Sequence, residues 1–407
     1  MVVKIYHVLG YGRFFIGGNY MYKYPIALTQ QFRFCGNPFR VDLYKGCDFG
    51  CKYCFANSRN GGFRVDFDEA DFSIVEQYFY KAFETEGDTK DVTIELMRHR
   101  VPFHVGGMSD PFQTREVEDE MHLTYKLIEL SNKYDYPLIF STKRADLPKE
   151  YWDILNPELH AFQVSIIGYD DEYSRQYETN TPTPKQRIEF IKELHSKGFW
   201  SAVRIQPLID LDQAIKVCQA VDGIADFIVV EHLKIPADNK TMRELFVNTL
   251  NMGNYAVLNN MRNFELKQDI KISNINKIKE VLKTTPIGCG DNDLHYMSQS
   301  RNCCGLDTIP SEKFKNWLKY NLTYFTTQPK DDTEDMESLY IPQGSVSSCL
   351  NPHTRLKGIN DFKTYTDYYC YKNLGFMCTE CPMYDKYKNS NMSELDGGRD
   401  IHKIRLW

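Results

Sequence analysis

The segment "KGCDFGCKYCFAN" (residues 45–57) places Cys47, Cys51 and Cys54 at a C-x3-C-x2-C spacing. Thiols this close together indicate a metal site, yet a structural zinc ion takes four ligands. Three thiolates can instead hold three corners of a 4Fe-4S cluster and leave one iron for a ligand from outside the chain. The segment therefore predicts an open iron-sulfur site, with structural zinc or an incidental group of thiols as the alternatives.

The composition is that of an ordinary globular protein, with 42% hydrophobic and 26% charged residues in a chain of 407. That length suits one large α/β domain with an appended piece, or two domains. The net charge of −6 argues against a passive DNA-coating protein, although an enzyme with a local basic groove is compatible with it. Because no long apolar run and no signal-peptide pattern is present, we expect a cytoplasmic protein that does not act at a membrane.

Twelve cysteines are many for a cytoplasmic chain, where disulfides rarely persist. Ten of them form three local groups, at positions 47/51/54, 289/303/304 and 349/370/378/381, and such clustering points to metal. The third group contains a C-x2-C pair, which suits zinc or an iron-sulfur cluster. We predict that Cys349, Cys370, Cys378 and Cys381 bind an auxiliary cluster or zinc, with unliganded cysteines as the alternative. His295 and His353 are candidates to replace one of these thiols, with an ordinary polar role as the alternative.

Strand-like and helix-like segments alternate between residues 38 and 235, which predicts a parallel sheet curled into a full or partial barrel. The six strand-like segments are "FRVDLY" (39–44), "VPFHVGG" (101–107), "YPLIFSTK" (136–143), "AFQVSIIG" (161–168), "FWSAVRIQPLI" (199–209) and "DFIVVEHLK" (226–234). We accordingly divide the chain into an N-terminal extension (1–38), a barrel core (39–235), a mainly helical segment (236–285) and a cysteine-rich, metal-binding region (286–407).

Polar residues occupy alternate positions on two neighbouring strands of this barrel. Gln163 and Ser165 share one face of their strand, and Arg204 and Gln206 share one face of the next. A parallel strand covered on both sides would be almost wholly apolar. The alternation therefore predicts an inner face that lines a cavity, with strand ends near solvent as the alternative.

The cysteine motif, placed after the first strand of a barrel of this kind, resembles the radical S-adenosylmethionine (SAM) superfamily. The resemblance implies an α/β fold with a partial (βα)6 barrel, followed here by a cysteine-rich C-terminal extension. It also implies that the open iron is chelated by the amino and carboxylate groups of SAM. Four further segments are similar to the spore photoproduct lyase-like branch, and they span roughly residues 40–235 in the right order: "GGMSDPFQTREVEDE" (106–120), "PLIFSTKRADL" (137–147), "FQVSIIGYDDEYSRQYETNTPTPKQRIEFIKELHSKG" (162–198) and "AVRIQPLI" (202–209).

The resemblance assigns roles to single residues of this chain. Cys47, Cys51 and Cys54 would bind the cluster, and the backbone near Tyr53 would face the adenine of SAM. Ser109 and Asp110 would lie beside its methionyl group, Lys143 would pair with its carboxylate, and Ser165 and Glu178 would address its ribose or amino group. Arg187 is a further cofactor-binding candidate. Surface or capping roles are the alternative for each of these residues, and Asp110 in particular suits a helix cap.

The predicted catalytic residues are Lys143, Arg204 and Gln206. The predicted substrate contacts are Gln163, Arg204 and Gln206.

The sequence departs from the family at one position. True photoproduct lyases carry a hydrogen-donor cysteine just before the Ser-Asp pair, whereas this chain reads "VGGMSD" (105–110) there. The departure argues against photoproduct repair by that route.

Three functions follow as hypotheses. The first is a radical SAM enzyme that cleaves SAM to a 5′-deoxyadenosyl radical and takes hydrogen from a nucleic-acid base, in DNA modification or a repair-like reaction. The Lys-rich run "KQDIKISNINKIKEVLK" (267–283) would then contact phosphates, or else form a solvated helix face. The second modifies a peptide or small molecule with the help of an auxiliary C-terminal cluster. The third, more remote, is a zinc-stabilised binding module. Both enzyme hypotheses imply a reductant protein such as a flavodoxin or ferredoxin.

Overall fold

The computed structural model describes residues 25–28, 39–58, 68–87, 91–113, 115–237, 239–258, 263–291, 294, 297–300 and 303–315. Its strands are β1 (Ile26–Leu28), β2 (Phe39–Val41), β3 (Tyr44–Lys45), β4 (Asp68–Glu69), β5 (Phe103–Val105), β6 (Leu138–Thr142), β7 (His160–Ser165), β8 (Ser201–Leu208), β9 (Phe227–His232), β10 (Lys234–Pro236), β11 (Tyr255–Leu258), β12 (Asn263–Leu266) and β13 (Ile287–Cys289). Its α-helices are α1 (Phe55–Ser58), α2 (Phe72–Phe83), α3 (Val92–Arg98), α4 (Arg115–Met121), α5 (Leu123–Tyr134), α6 (Asp171–Tyr177), α7 (Pro184–Ser196), α8 (Leu211–Val221), α9 (Lys240–Thr249) and α10 (Gln268–Val281).

Eight strands form the main sheet, in the order β1-β2-β5-β6-β7-β8-β9-β13. Neighbours from β2 to β13 pair in parallel, and β1 pairs antiparallel with β2 at one edge. Most successive parallel strands are joined through α-helices that return the chain to the start of the next strand, and a short 3-10 helix (Leu147–Tyr151) lies between β6 and β7. The predicted α/β fold with a mostly parallel sheet is therefore confirmed, and its strands β2, β5, β6, β7, β8 and β9 correspond to the six predicted segments.

The structure adds elements on both sides of the predicted core. β13 joins the main sheet beside β9, although it belongs to the region predicted to be cysteine-rich and metal-binding (286–407). The segment predicted to be mainly helical contains α9 and α10, and also β11 and β12, which form an antiparallel sheet with β10. Within the residues described here, no helix is long and apolar enough to cross a membrane.

Helix α7 shows how local sequence sets these boundaries. Thr183 caps its N-terminus by accepting a hydrogen bond from the backbone of Gln186, whose side chain reaches back to the backbone of Thr183. Pro184 occupies the first turn, where its missing N–H costs nothing. Gly198, with φ of +78°, lies just beyond the helix and turns the chain toward β8. Pro184 and Gly198 thus mark the two ends of this helix in the sequence.

The core between sheet and helices contains a buried histidine in one defined tautomer. The Ser131 hydroxyl donates to the carbonyl of Tyr136 (2.5 Å), so it accepts from Nε2 of His160 (3.0 Å). The other ring nitrogen, Nδ1, accepts from the backbone N–H of Asn156 (2.9 Å). Burial lowers the pKa of His160 to about 3, because a proton on Nδ1 would face a second donor in an apolar surrounding.

We expect this histidine to make folding depend on pH. Its pKa is lower in the folded than in the unfolded chain, so its contribution is fully present above pH ~6.5 and is lost as pH falls toward 3. Below pH ~6.5 the free energy of unfolding should fall by up to about 1.4 kcal/mol per pH unit on this account. Urea unfolding at pH 7 and pH 5 should show a smaller pH effect in His160→Gln than in the native protein. An equal pH effect in both would contradict the prediction.

Candidate active site

The cysteine loop joins β3 to α1 and lies against the segment that follows α6. Two backbone hydrogen bonds connect them, from Lys52 N to the carbonyl of Tyr177 (2.9 Å) and from Asn180 N to that of Phe49 (3.1 Å). Gly50 has φ of +62°, a left-handed conformation in which a side chain would be strained. The path of the loop is thus fixed by a glycine turn and by contacts with chain more than one hundred residues away.

The thiols of this loop lie in a largely dry environment. Cys47, Cys51 and Cys54 are all free, and Cys51 is buried while the other two are half-buried. Burial raises the pKa of the Cys51 thiol to about 12, opposed by the nearby Lys143 ammonium, and burial likewise raises the pKa of Cys47. A thiolate here requires positive charge beside it, which a bound metal centre supplies. The environment therefore suits metal-bound thiolates better than free reactive thiols.

A fully buried ion pair lies beside the loop. The Arg187 guanidinium donates to Oε2 of Glu178 at 2.5 Å, and both side chains are completely inaccessible. Arg187 also donates to the carbonyls of Ser165 (2.6 Å) and Pro182 (3.0 Å), so its charge is well solvated by protein groups. The hydroxyl of Tyr53 donates to Oε1, the second carboxylate oxygen of Glu178. Arg187 therefore anchors Glu178, and Glu178 in turn orients a residue of the cysteine loop.

Lys143 brings a second positive charge to the same place. Its ammonium lies 5.7 Å from the centre of the Tyr53 ring. Although burial opposes protonation, the ionised form of Cys51 and the carboxylate of Glu178 raise the pKa of Lys143. Burial likewise disfavours the ionised form of Glu178, and the charges of Arg187 and Lys143 nevertheless lower its pKa. The site thus holds a protonated lysine and an ionised glutamate next to the thiols.

Asp110 links the ends of two neighbouring strands. Its carboxylate accepts from the backbone of Phe112 (3.0 Å), the hydroxyl of Thr142 (2.8 Å) and the backbone of Lys143 (2.7 Å). Burial raises its pKa to about 6 against the effect of these donors. The Ser109 hydroxyl donates to a carbonyl of β3 (2.6 Å). Both side chains therefore bind the protein itself, and Asp110 holds the backbone of Lys143 at the end of β6.

A row of polar side chains crosses one face of the main sheet, and we call it the polar wall. It comprises His104, Ser141, Gln163, Arg204 and Gln206, on strands β5 to β8. His104 Nε2 lies 2.6 Å from the Ser141 hydroxyl, which is 3.1 Å from both Oε1 of Gln163 and the Arg204 guanidinium. Arg204 also donates to Oε1 of Gln163 (2.6 Å) and to Oε1 of Gln206 (2.8 Å). The predicted polar inner face is thus a continuous hydrogen-bonded row.

Comparison with known proteins matches this part of the chain to one family. The model of the Radical SAM superfamily matches residues 41–209. This range is a radical SAM domain. The predicted superfamily is confirmed for this range, and a radical SAM domain implies a 4Fe-4S cluster and SAM as cofactors. The match contains the cysteine loop, Lys143, the Glu178–Arg187 pair and the polar wall.

The relatives found by sequence are proteins without an assigned activity. An uncharacterized protein of Mycobacterium tuberculosis is 27% identical over 199 residues, which are 46% of this chain and 53% of the relative. One of Methanocaldococcus jannaschii is 21% identical over 261 residues, covering 63% of this chain and 91% of the relative. The chain thus spans about half the length of the mycobacterial relative. Among solved structures, spore photoproduct lyase complexed with dinucleoside spore photoproduct has a TM-score of 0.45 and 14% identity, over 60% of this chain and 73% of the other.

The residues of the radical SAM domain fit an iron-sulfur cluster through the chemistry of their donors. Cys47, Cys51 and Cys54 offer soft sulfur ligands in a site with the counter-charge of Lys143. In the described part of the chain, no group of three His, Cys, Asp or Glu side chains is arranged to hold a single metal ion. In a cluster each thiolate binds a different iron, so the sulfurs need not surround one point.

The remaining predicted positions lie beside this site, elsewhere in the fold or outside the described residues. Ser165 is half-buried, and it contacts Arg187 through its carbonyl. Cys303 and Cys304 are buried with their sulfurs 3.5 Å apart, and Cys289 is buried at the end of β13. Six predicted positions lie outside the described residues: Cys349, Cys370, Cys378, Cys381, His295 and His353.

The Lys-rich run mostly coincides with α10, and its lysines differ in exposure. Lys271 is buried with 2% exposure, and its ammonium lies 3.6 Å from Oε2 of Glu265. Lys279 donates to the carbonyl of Met297 (2.6 Å). Burial therefore excludes Lys271 from contact with a phosphate backbone, so the run does not present all its lysines to phosphates. Lys267 and Lys277 are exposed.

Proposed function

We propose that this protein is a radical SAM enzyme in which Cys47, Cys51 and Cys54 bind the cluster. The observation that carries the proposal is the meeting of this loop with Lys143 and the Glu178–Arg187 pair inside a radical SAM domain. When bound by the cysteine loop and the residues around it, cluster and SAM would supply one-electron radical chemistry directed at a C–H bond of a substrate. The chain itself supplies binding, orientation and exclusion of water.

The residues around the loop would bind SAM by charge complementarity. Lys143 is protonated and would pair with the SAM carboxylate. Glu178 is ionised and would address the amino group or ribose, together with Ser165. Arg187 would act through Glu178, because its own donors are occupied by protein groups. The backbone near Tyr53 would face the adenine, and Ser109 and Asp110 would shape the methionyl end by fixing the strand ends.

Removal of Lys143 should weaken SAM binding. Loss of one charge-assisted contact costs about 1.5–3 kcal/mol, which corresponds to a roughly 10- to 150-fold higher dissociation constant in Lys143→Ala. Equilibrium dialysis of SAM against the reconstituted protein, without reductant, measures this dissociation constant. Lys133→Ala is the matched control, because that lysine is exposed on α5 and pairs with Glu84. Equal SAM affinity in all three proteins would contradict the assigned role.

For the substrate we propose a nucleic-acid base, supported by the motif resemblance and by neutral hydrogen-bonding groups on the polar wall. Gln163, Arg204 and Gln206 would contact it, as their place on the wall favours.

The second candidate substrate is a peptide or small molecule. The burial of Lys271 favours it, because it removes part of the basic run that would hold a phosphate backbone. In that case Cys349, Cys370, Cys378 and Cys381 would hold an auxiliary cluster. A flavodoxin- or ferredoxin-type protein would supply the electron in either case.

The experiment that tests the function is anaerobic reconstitution with iron and sulfide, followed by incubation with SAM and dithionite. We expect 5′-deoxyadenosine and methionine to accumulate even without substrate, measured by liquid chromatography against protein-free controls. Protein that takes up iron and forms no 5′-deoxyadenosine would refute the proposal.

A further inference from the structure

Elements beyond the matched range contribute to the surroundings of the cysteine loop. The family match ends at residue 209, and β10 and α9 follow it along the chain. Apart from the main core, the described residues form a smaller cluster of buried apolar side chains. From the cysteine loop this cluster includes Phe49, Cys51 and Tyr53, and from β10 and α9 it includes Ile235 and Phe246. The buried core of the loop is therefore completed by chain outside the radical SAM match.

Tyr177, the last residue of α6, connects α9 to the cysteine loop. The ring of Phe246 stacks on that of Tyr177, with the ring centroids 5.8 Å apart and the planes at 9°. Tyr177 is 6% exposed and Phe246 is fully buried, so the stack excludes water. The Tyr177 hydroxyl also lies within hydrogen-bonding reach of Thr249, the last residue of α9. Two positions one turn apart on α9 thus hold the same side chain.

The backbone at Tyr177 and just beyond it pairs with the cysteine loop. The carbonyl of Tyr177 accepts from Lys52 N (2.9 Å), and Asn180 N donates to the carbonyl of Phe49 (3.1 Å). The Asn180 side chain donates to the carbonyl of Asp48 (2.7 Å). These contacts lie between the three cysteines of the loop. A displacement of Tyr177 would therefore shift the groups that fix the positions of the cysteines.

The loop has little regular structure of its own to hold this conformation. It lies between β3, a strand of two residues, and α1, a helix of four. A helix of four residues is not stable by itself, so tertiary contacts must hold it. Segments with few buried contacts open locally at a small cost in free energy, without unfolding of the whole protein. The packing of α9 on Tyr177 raises this cost for the cysteine loop.

We propose that α9 is a clamp for the iron-sulfur site, and that Phe246 is a positioning residue which acts through Tyr177 to keep the three cysteines in place. This inference rests on the proposed function, because it takes the cysteines to be cluster ligands. The Glu178–Arg187 pair anchors the same segment by charge, and Phe246 anchors it by apolar packing. Slow loss of iron is the property that follows, because a held loop rarely exposes its thiolates to exchange with a competing ligand.

The rate of iron release tests the clamp without any measurement of activity. The reconstituted, dithionite-reduced protein is mixed anaerobically with excess bathophenanthroline disulfonate, and the absorbance of its ferrous complex is followed. We expect Phe246→Ala to release iron at least about tenfold faster than the native protein. A factor of ten corresponds to about 1.4 kcal/mol of easier opening, which is less than the truncation of a buried phenylalanine normally costs.

Matched variants separate the clamp from general stability. Phe79 on α2 is fully buried among aromatic rings of the main core, so Phe79→Ala should lower the urea stability to a similar extent and release iron much more slowly than Phe246→Ala. Val247→Ala, at an exposed position of α9, should release iron at the native rate. Phe246→Leu keeps apolar bulk against Tyr177 and should release iron more slowly than Phe246→Ala. Where an alanine variant does not fold, Phe246→Leu and Phe79→Leu give the same comparison.

The outcomes distinguish the clamp from the proposed function. Equal rates of iron release in the Phe246 and Phe79 variants would mean that iron leaves through general unfolding, and they would overturn the clamp alone. Native protein that takes up no iron would contradict the cluster assignment and the clamp together.

Discussion

Cys51→Ala is expected to reduce SAM cleavage to the level of the protein-free control. Cys51 is the buried thiol of the loop, next to Lys143. Without it, only two thiolates remain as ligands. A 4Fe-4S cluster needs three thiolate ligands if a single iron is to stay open for SAM. We expect the reconstituted variant to lose about four irons per chain relative to the native protein, together with all 5′-deoxyadenosine formation.

Cys218→Ala is the matched control, because Cys218 is a fully buried cysteine of α8 in the apolar core. It should keep its iron content and its SAM cleavage. Iron that remains in the Cys51 variant reports on an auxiliary site, which Cys349, Cys370, Cys378 and Cys381 would form. A Cys51 variant with native iron and native 5′-deoxyadenosine formation would contradict the assignment of the loop.

Arg187→Leu is expected to lower the free energy of unfolding by about 3–5 kcal/mol, because it leaves a buried carboxylate without its partner. Arg187 and Glu178 are both fully buried, and they are held by the ion pair together with the carbonyls of Ser165 and Pro182. Urea unfolding followed by circular dichroism measures the change. The double variant Arg187→Leu with Glu178→Leu should be more stable than Arg187→Leu alone, since it removes the uncompensated charge.

An exposed ion pair provides the comparison. Lys192 and Glu189 on α7 are 2.7 Å apart and about half-exposed, so Lys192→Ala should change the free energy of unfolding by less than about 1 kcal/mol. If Arg187→Leu cost no more than Lys192→Ala, the buried pair would not be the anchor of the cysteine loop that its geometry indicates.

Patterns of neighbouring residues were enough to predict the framework of the fold. The alternation of strand and helix signals predicts β2 and β5 to β9, and the Pro184 and Gly198 signals predict the bounds of α7. β1 and β13 were missed because they lie outside residues 38–235, where strand-like and helix-like segments alternate, and only their pairing with β2 and β9 defines them. The burial of Lys271 was missed for a related reason. A lysine in a charged helix is normally solvated, and only its pairing with Glu265 from β12 makes burial tolerable.

In the candidate site, too, local sequence signals were predictable and contacts between distant segments were not. The C-x3-C-x2-C spacing and the alternation of Gln163, Arg204 and Gln206 are local signals, and the sequence displays both. His104 and Ser141 were missed, because one polar residue in a short strand does not form a pattern. The partners of Asp110 and Glu178 depend on how separate strands meet, so they could not be derived from spacing.

The most direct test of the central claim is the electron paramagnetic resonance spectrum of the dithionite-reduced protein, recorded before and after addition of SAM. If three cysteines hold the cluster and leave one iron open, SAM will bind that iron and change the spectrum of the reduced cluster. A spectrum that SAM leaves unchanged would contradict an open iron in this loop. Protein without any iron-sulfur signal after reconstitution would contradict the radical SAM function itself.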